Sequence, residues 1–152
     1  TLAASYGLPF AFASHFAPSA LQDAVATYRR GFKPSAQLKA PYVIAGVNVI
    51  AADTNDDAQH HFHLTKRMRV KALLGRGRHW TDAQADDVLA SPAGQMIEDM
   101  CTYSAVGTTG TVRTYLERFR TLADADELIT VHSTATHDAR LRSVSLLAEY
   151  MR

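Results

Sequence analysis

The chain has 152 residues, of which 47% are apolar and 20% are charged, and its net charge at pH 7 is +1. This composition is typical of a globular domain, and the near balance of charge argues against nucleic acid or a membrane surface as the main partner. The single cysteine, Cys101, cannot form an internal disulfide, and no apolar run approaches the roughly 20 residues that span a bilayer. No secretory signal is recognisable, so the sequence predicts a cytoplasmic protein.

The first elements are predicted from their end signals and from runs of apolar residues. Leu2–Tyr6 is typical of the last turns of a helix closed by Gly7, and because no start signal precedes it, we expect the chain to be part of a longer protein. Residues 8–13 form an apolar run of strand length, of the kind that is buried on both faces. A helix is predicted to begin at Pro18 and to end at Gly31.

The strongest strand prediction spans residues 42–50, which are rich in β-branched side chains and apolar on both faces. Residues 53–57 combine capping side chains with acidic residues, which favour the start of a helix. This helix is expected to run to about Leu74, because Gly75 and Gly77 follow it.

Residues 75–104 do not fit a simple alternation of strands and helices, and we interpret them as an insertion. A capping box at Thr81 and Gln84 and the pair Ser91-Pro92 predict two short helices within it. The loop at its start carries Arg76 between Gly75 and Gly77, and Arg78 directly after Gly77. It is interpreted as part of a lid over a substrate pocket, with a phosphate-binding or RNA-binding loop and a plain exposed turn as alternatives.

The rest of the chain predicts a helix after Gly107-Thr108, a third strand at residues 127–132 and a final amphipathic helix. Strands that alternate with helices, joined by connections too long for hairpins, predict an α/β fold with a parallel sheet. Three parallel strands alone would leave both sheet edges bare. We therefore interpret the chain as part of a doubly wound sheet or of a (β/α)8 barrel.

Candidate site residues follow from this fold, because both architectures place function at the carboxyl ends of parallel strands. Ser14 and His15 follow the first strand, Asn48 interrupts the second, and His132 ends the third. The two histidines are predicted to converge on one pocket, which Asn48 would also line. The alternative is that each histidine caps a helix or bonds to a loop carbonyl.

Other polar residues carry weaker signals. His60 and His63 could share one helical face, but no third ligand is recognisable, so a solvated helix face is favoured over a metal site. Cys101 lies in an apolar context and is interpreted as a core residue rather than a nucleophile. No Walker, GxGxxG or GxSxG pattern is present, and no catalytic residue is assigned.

Five segments together resemble one family: GLPFAFASHFAP, PYVIAGVNVIAADTNDDA, LLGRGR, AVGTTGTVRTYLERF and ADELITVHSTATHDARLRSVSLLAE. In this order and spacing they resemble the carboxyl-terminal half of the luciferase-like flavin-dependent monooxygenases, which are (β/α)8 TIM barrels. The resemblance covers nearly the whole chain and is weakest at residues 78–103. It implies that residues 1–152 belong to a single barrel domain and hold its last three β/α units, with the insertion after the second strand of the chain.

The resemblance also implies chemistry. Family members use reduced FMN, supplied by a separate flavin reductase, and O2 to oxidise a small organic substrate, and they are commonly homodimers. Ala13, Ser14 and His15 would lie beside the flavin. A deazaflavin-dependent reductase on the same barrel, or a non-catalytic flavin-binding or structural relative, are the alternatives. Because the phosphate-binding turn of the family precedes the helix that ends at Gly7, the chain alone is expected to bind FMN weakly and to be inactive.

Overall fold

The computed structural model describes residues 1–75 and 77–151. In this part of the chain, the strands are Phe10–Phe12 (β1), Val43–Ala51 (β2), Ser104–Gly107 (β3) and Glu127–Val131 (β4). The helices are Leu2–Tyr6 (α1), Leu21–Gly31 (α2), Asn55–Leu74 (α3), Asp82–Leu89 (α4), Gln95–Met100 (α5), Thr109–Leu122 (α6) and His137–Tyr150 (α7), and Pro18–Ala20 and Pro92–Gly94 form 3₁₀ turns.

All strand pairings are parallel, as the alternation of elements predicts, and β2 is the central strand. Strand β1 pairs with the first residues of β2, β4 pairs with the middle of β2, and β3 pairs with the last residues of β2. The short strand β3 is a correction, because the sequence predicts three strands and the described residues contain four. The two short helices predicted in the insertion are present as α4 and α5.

Local end signals place several helix boundaries where the sequence predicts them, but Pro18 and Pro92 each open a 3₁₀ turn that precedes the α-helix by three residues. Gly7 closes α1 with a left-handed backbone (φ 63°), and a Cβ on it would lie 2.5 Å from the carbonyl oxygen of Lys33. Thr81 and Gln84 form the predicted capping box at the start of α4. These signals work because each acts over a few neighbouring residues.

One face of the sheet, here called the outer face, is covered by helices. The outward residues of β2 (Val43, Ala45, Val47 and Val49) are fully buried, and they pack with side chains of α2, α6 and α7. Tyr28 of α2 lies at the centre of this core with no exposed surface. Burial of alternate β2 side chains on this face supplies the main hydrophobic stabilisation of the sheet.

The opposite face, here called the inner face, is only partly covered. Phe10 and Phe12 of β1 pack against the outer core, but Ala11 between them is exposed. The prediction that residues 8–13 are buried on both faces is therefore wrong for the described chain, because no layer covers the inner face at β1. On β4, Ile129 pairs in register with Gly46 and is 56% exposed.

The insertion forms a second small core on α3. Val70, Ala85 and Ile97, from α3, α4 and α5, are fully buried together, and Trp80 packs against them. Arg67 of α3 pairs with Asp82 and Asp86 of α4, and Lys66 pairs with Glu98 of α5 at 2.9 Å. The described part of the insertion is thus a helical layer packed on α3, and its role as a lid stays a prediction. Across the described chain, no helix is both long and apolar enough to cross a bilayer.

Candidate functional site

The inner face of the sheet near the carboxyl end of β2 brings several of the predicted site residues together. Side chains alternate between the two faces along a strand, so the Asn48 side chain lies on the face where a side chain at residue 46 would also lie. In register with Asn48 are Ser104 on β3 and Val131 on β4, which therefore share this face. Asn48 is 4% exposed, although it stands in an otherwise apolar strand.

Ser14 and His15 both contact Gly46 from the turn that follows β1. The fully buried Ser14 donates a hydrogen bond from Oγ to the Gly46 carbonyl oxygen at 2.5 Å. The ring of His15 lies against Gly46, because a Cβ built on this glycine would be 2.6 Å from His15 Nδ1. Ala13, which begins the turn, is exposed. The polar end of the first strand is therefore fixed on the central strand rather than free in solvent.

His15 presents a polar atom without a partner. Its Nδ1 is buried and makes no hydrogen bond within the described chain. Burial, and to a smaller extent the positive charge of Arg69, lower the pKa of the imidazole below 6.5. The neutral imidazole is therefore favoured at pH 7, and its Nδ1 lacks a hydrogen-bond partner in the described chain.

Asn48 is bound by Arg69, which the sequence does not single out. Arg69 Nη2 donates to Asn48 Oδ1 at 2.9 Å, and Asn48 Nδ2 donates to the carbonyl oxygens of Met100 and Tyr103 at 3.4 and 3.3 Å. These bonds attach the end of α5 and the start of β3 to the central strand. Asn48 is a buried amide with its donor and acceptor both used, which explains its place among apolar neighbours.

Cys101 lies beside the same cluster. It is 7% exposed, and its Sγ accepts from Arg69 Nη1 at 3.2 Å. Burial raises the pKa of the thiol, so the thiolate is disfavoured. This is the setting of a core residue, as the sequence predicts. Ser104 Oγ, next to Asn48 in register, is buried and has no partner within the described chain.

His132 lies on the other side of the sheet. Its side chain shares the outer face with Leu128 and Thr130, and its Nδ1 is 2.7 Å from Ser143 Oγ of α7. Ser143 in turn accepts from the Ala51 amide at 2.9 Å. Burial lowers the pKa of His132 below 6.5. The structure therefore does not bring His132 together with His15, and its predicted place in the pocket stays a prediction.

The remaining predicted positions contact other parts of the described chain or are undetermined. Arg78 is exposed in the loop after α3, where its amide donates to the Gly75 carbonyl at 2.9 Å, and Arg76 lies outside the described residues. His63 Nε2 is 3.0 Å from Asp86, and His60 is exposed. Among the residues described, no three His, Cys, Asp or Glu side chains are arranged to hold a metal ion.

The two lowered imidazole pKa values predict how stability depends on pH. Because His15 and His132 are harder to protonate in the folded state, the unfolded state takes up protons first as the pH falls below 6.5. The free energy of unfolding should be highest above this pH and decline on acidification. Urea denaturation at about pH 7.5 and about pH 5.5 measures the decline, well above the range in which carboxylates titrate. His15→Gln and His132→Gln should each make this decline in the free energy of unfolding smaller. If both variants show the same decline as the wild type, the two imidazole pKa values are not its cause.

Comparison with known proteins identifies the family. The family model described as luciferase-like monooxygenase matches residues 1–126. The chain belongs to this family. It is 42% identical over 147 residues to a luciferase-like monooxygenase of Escherichia coli K12, and 35% identical over 150 residues to the protein YvbT of Bacillus subtilis 168. These alignments cover 95% and 97% of the chain but only 44% and 45% of the relatives, so the chain spans less than half of their length.

Solved structures agree with the family assignment. The crystal structure of apo-MsnO8 superposes with a TM-score of 0.78 at 29% identity, over 97% of this chain and 46% of that one. The long-chain alkane monooxygenase LadA gives a TM-score of 0.62 at 15% identity, over 98% and 37%, which shows a shared fold. The luciferase-like chain is thus an α/β unit with a parallel sheet that matches part of these TIM-barrel structures.

Proposed function

We propose that the protein carrying this luciferase-like chain is an FMN-dependent monooxygenase, and that the chain forms the last three β/α units of its barrel. The observation that carries the proposal is the inner face. There the buried polar atoms His15 Nδ1 and Ser104 Oγ have no partner in the described chain, beside the exposed Ala11 and Ala13. Unpaired buried polar atoms are costly, and they cluster where a ligand completes them.

The barrel assignment is supported by the edge strand. In the described chain β4 pairs only with β2. A groove of about 1230 Å³ lies over its outer face between α6 and α7, lined by apolar side chains that include Leu128, Val144 and Met151. Unpaired strand edges and apolar grooves are what further β/α units of a barrel would cover.

The residues of the inner face fit a flavin site. Ser14 fixes the turn after β1 to Gly46, so the neutral His15 is held in place beside the sheet. Arg69 and Asn48 hold the insertion against the same face. When bound, reduced FMN would supply the electrons with which O2 is activated for transfer of one oxygen atom to the substrate. Ile129 and Val131 supply apolar surface that helps to exclude water from such a site.

The test uses the protein at its full encoded length. We expect it to bind FMN and to consume reduced FMN together with O2, and His15→Ala should lower turnover about tenfold or more with little change in melting temperature. Activity with a reduced deazaflavin, without O2 consumption, would instead favour a deazaflavin-dependent reductase. If the protein binds neither flavin, the remaining alternative is a structural relative of the family without flavin chemistry. A separate flavin reductase, a small organic substrate and a homodimer belong to the same proposal.

A further inference from the structure

Arg69 of α3 carries a positive charge whose protein partners are all neutral. Its Nη1 donates to the Met100 carbonyl oxygen at 3.4 Å and to Cys101 Sγ at 3.2 Å, and its Nη2 donates to Asn48 Oδ1 at 2.9 Å. A guanidinium has five N–H donors, and these bonds use three of them. The Nε–H and the second Nη2–H have no acceptor within the described chain.

The absence of a counter-ion distinguishes Arg69 from its neighbour on the same helix. Within residues 1–75 and 77–151, no carboxylate oxygen lies within 4.0 Å of Arg69. Arg67, two residues earlier, pairs with Asp82 and Asp86, and Lys66 pairs with Glu98. A partly buried charge that has only neutral partners is costly, and an anion would offset that cost.

The position of Arg69 points to the inner face. Its guanidinium bonds to Asn48, whose side chain lies on this face, and its charge acts on His15. The unpaired atoms His15 Nδ1 and Ser104 Oγ are found on the same face. A cation with spare donors therefore lies beside polar atoms that lack partners, at a surface that the described chain leaves partly open.

We propose that Arg69 binds a negatively charged group at the inner face, next to His15 and Ser104. The inference rests on the proposed function and deepens it. The shared chemistry is an anion that accepts from the planar guanidinium, and two sources fit: the ring of reduced FMN, which is anionic near neutral pH, and a carboxylate or sulfonate substrate.

The experiment compares Arg69→Gln and Arg69→Lys with the matched control Arg67→Gln in the protein at its full encoded length. Dissociation constants are measured anaerobically for oxidised FMN and reduced FMN, and separately for methanesulfonate and propionate as probes of an acidic substrate. We expect Arg69→Gln to weaken one anion about tenfold or more, Arg69→Lys to retain most of the affinity, and Arg67→Gln to change none.

The probe whose dissociation constant rises in Arg69→Gln identifies the source of the anion. Selective weakening of reduced FMN assigns the anion to the flavin ring, and weakening of methanesulfonate or propionate alone assigns it to the substrate. Equal weakening of both redox states of FMN, with the organic anions unaffected, does not follow the charge of the ring and overturns the inference. If Arg69→Gln binds every probe as the wild type does, the inference is overturned. If the wild type binds the organic anions but no flavin, the proposed function fails while the anion site is still tested.

A second variant covers the case in which Arg69→Gln does not fold. Asn48→Asp keeps an acceptor for the guanidinium and places a carboxylate beside it, which neutralises the charge available to a ligand, and it also removes the Nδ2–H donors to the Met100 and Tyr103 carbonyl oxygens. Asn48→Asp should therefore weaken the same probe as Arg69→Gln, in a protein whose melting temperature is lower because the two Nδ2 bonds are lost but whose circular dichroism spectrum shows that it is folded. Unchanged affinity in a folded Asn48→Asp protein also overturns the inference.

Discussion

Replacing Tyr28 with alanine is expected to lower the free energy of unfolding by about 4 kcal/mol, because a fully buried aromatic ring is lost from the outer core. The ring of Tyr28 stacks on Phe10 of β1, with centroids 5.0 Å apart, and meets the edge of Phe32 at 5.8 Å. Its removal would leave a cavity between α2 and the sheet that rigid strands cannot close. Urea or guanidinium denaturation of the full-length protein measures the loss.

Tyr28→Phe separates the hydroxyl from the ring. The Tyr28 hydroxyl donates to the Leu8 carbonyl at 2.8 Å and accepts from the Tyr42 amide at 3.0 Å, so it joins the chain entering β1 to the chain entering β2. Loss of both bonds leaves two partly buried backbone groups unpaired and should cost about 1–3 kcal/mol. Tyr115→Phe, which removes an exposed hydroxyl bonded to Thr102 at 3.2 Å, is the matched control and should cost under about 0.5 kcal/mol. Equal losses in the two variants would contradict this role of the Tyr28 hydroxyl.

The order and type of most elements could be predicted because their signals are local. The closing glycine Gly7 and the capping box at Thr81 and Gln84 each involve residues within a few positions of one another. Strand β3 was not predicted, because four residues that include Ser104 and Gly107 have no strong β preference. Their strand conformation comes from pairing with β2, whose residues lie more than fifty positions earlier.

The candidate site was only partly predictable, because its geometry depends on which face each strand presents. Polar and apolar side chains do not alternate regularly along Glu127–Val131 and His132. The sequence therefore does not predict that the His132 side chain faces α7 while the Ile129 side chain lies on the inner face. Arg69 stands among other basic residues of α3, and only its contact with Asn48 sets it apart. The sequence signals that pointed to this face were Asn48 within an apolar strand and the polar pair Ser14 and His15 after the first strand.

Gly46→Ala is expected to displace His15 and to lower turnover of the full-length protein by about tenfold or more, since misplaced site residues carry large rate penalties. The new Cβ would lie 2.6 Å from His15 Nδ1, closer than real Cβ atoms approach other atoms, and 3.1 Å from Cε1, which is also tight. The imidazole must therefore move away from the sheet, and its pKa should rise toward 6.5 as its burial is lost. Proton NMR titration of the His15 ring measures this change independently of activity.

A double-mutant cycle shows whether the effect acts through His15. In the His15→Ala background the ring that Gly46→Ala would displace is already absent, so the second substitution should change turnover little, apart from its ordinary contact with the Phe12 carbonyl at 3.4 Å. Gly110→Ala, where an added Cβ meets nothing within 4 Å, is the matched control and should leave turnover unchanged. Additive losses from Gly46→Ala and His15→Ala would mean that the glycine matters for the sheet itself. Full coupling would mean that β2 lacks a side chain at residue 46 in order to seat the imidazole.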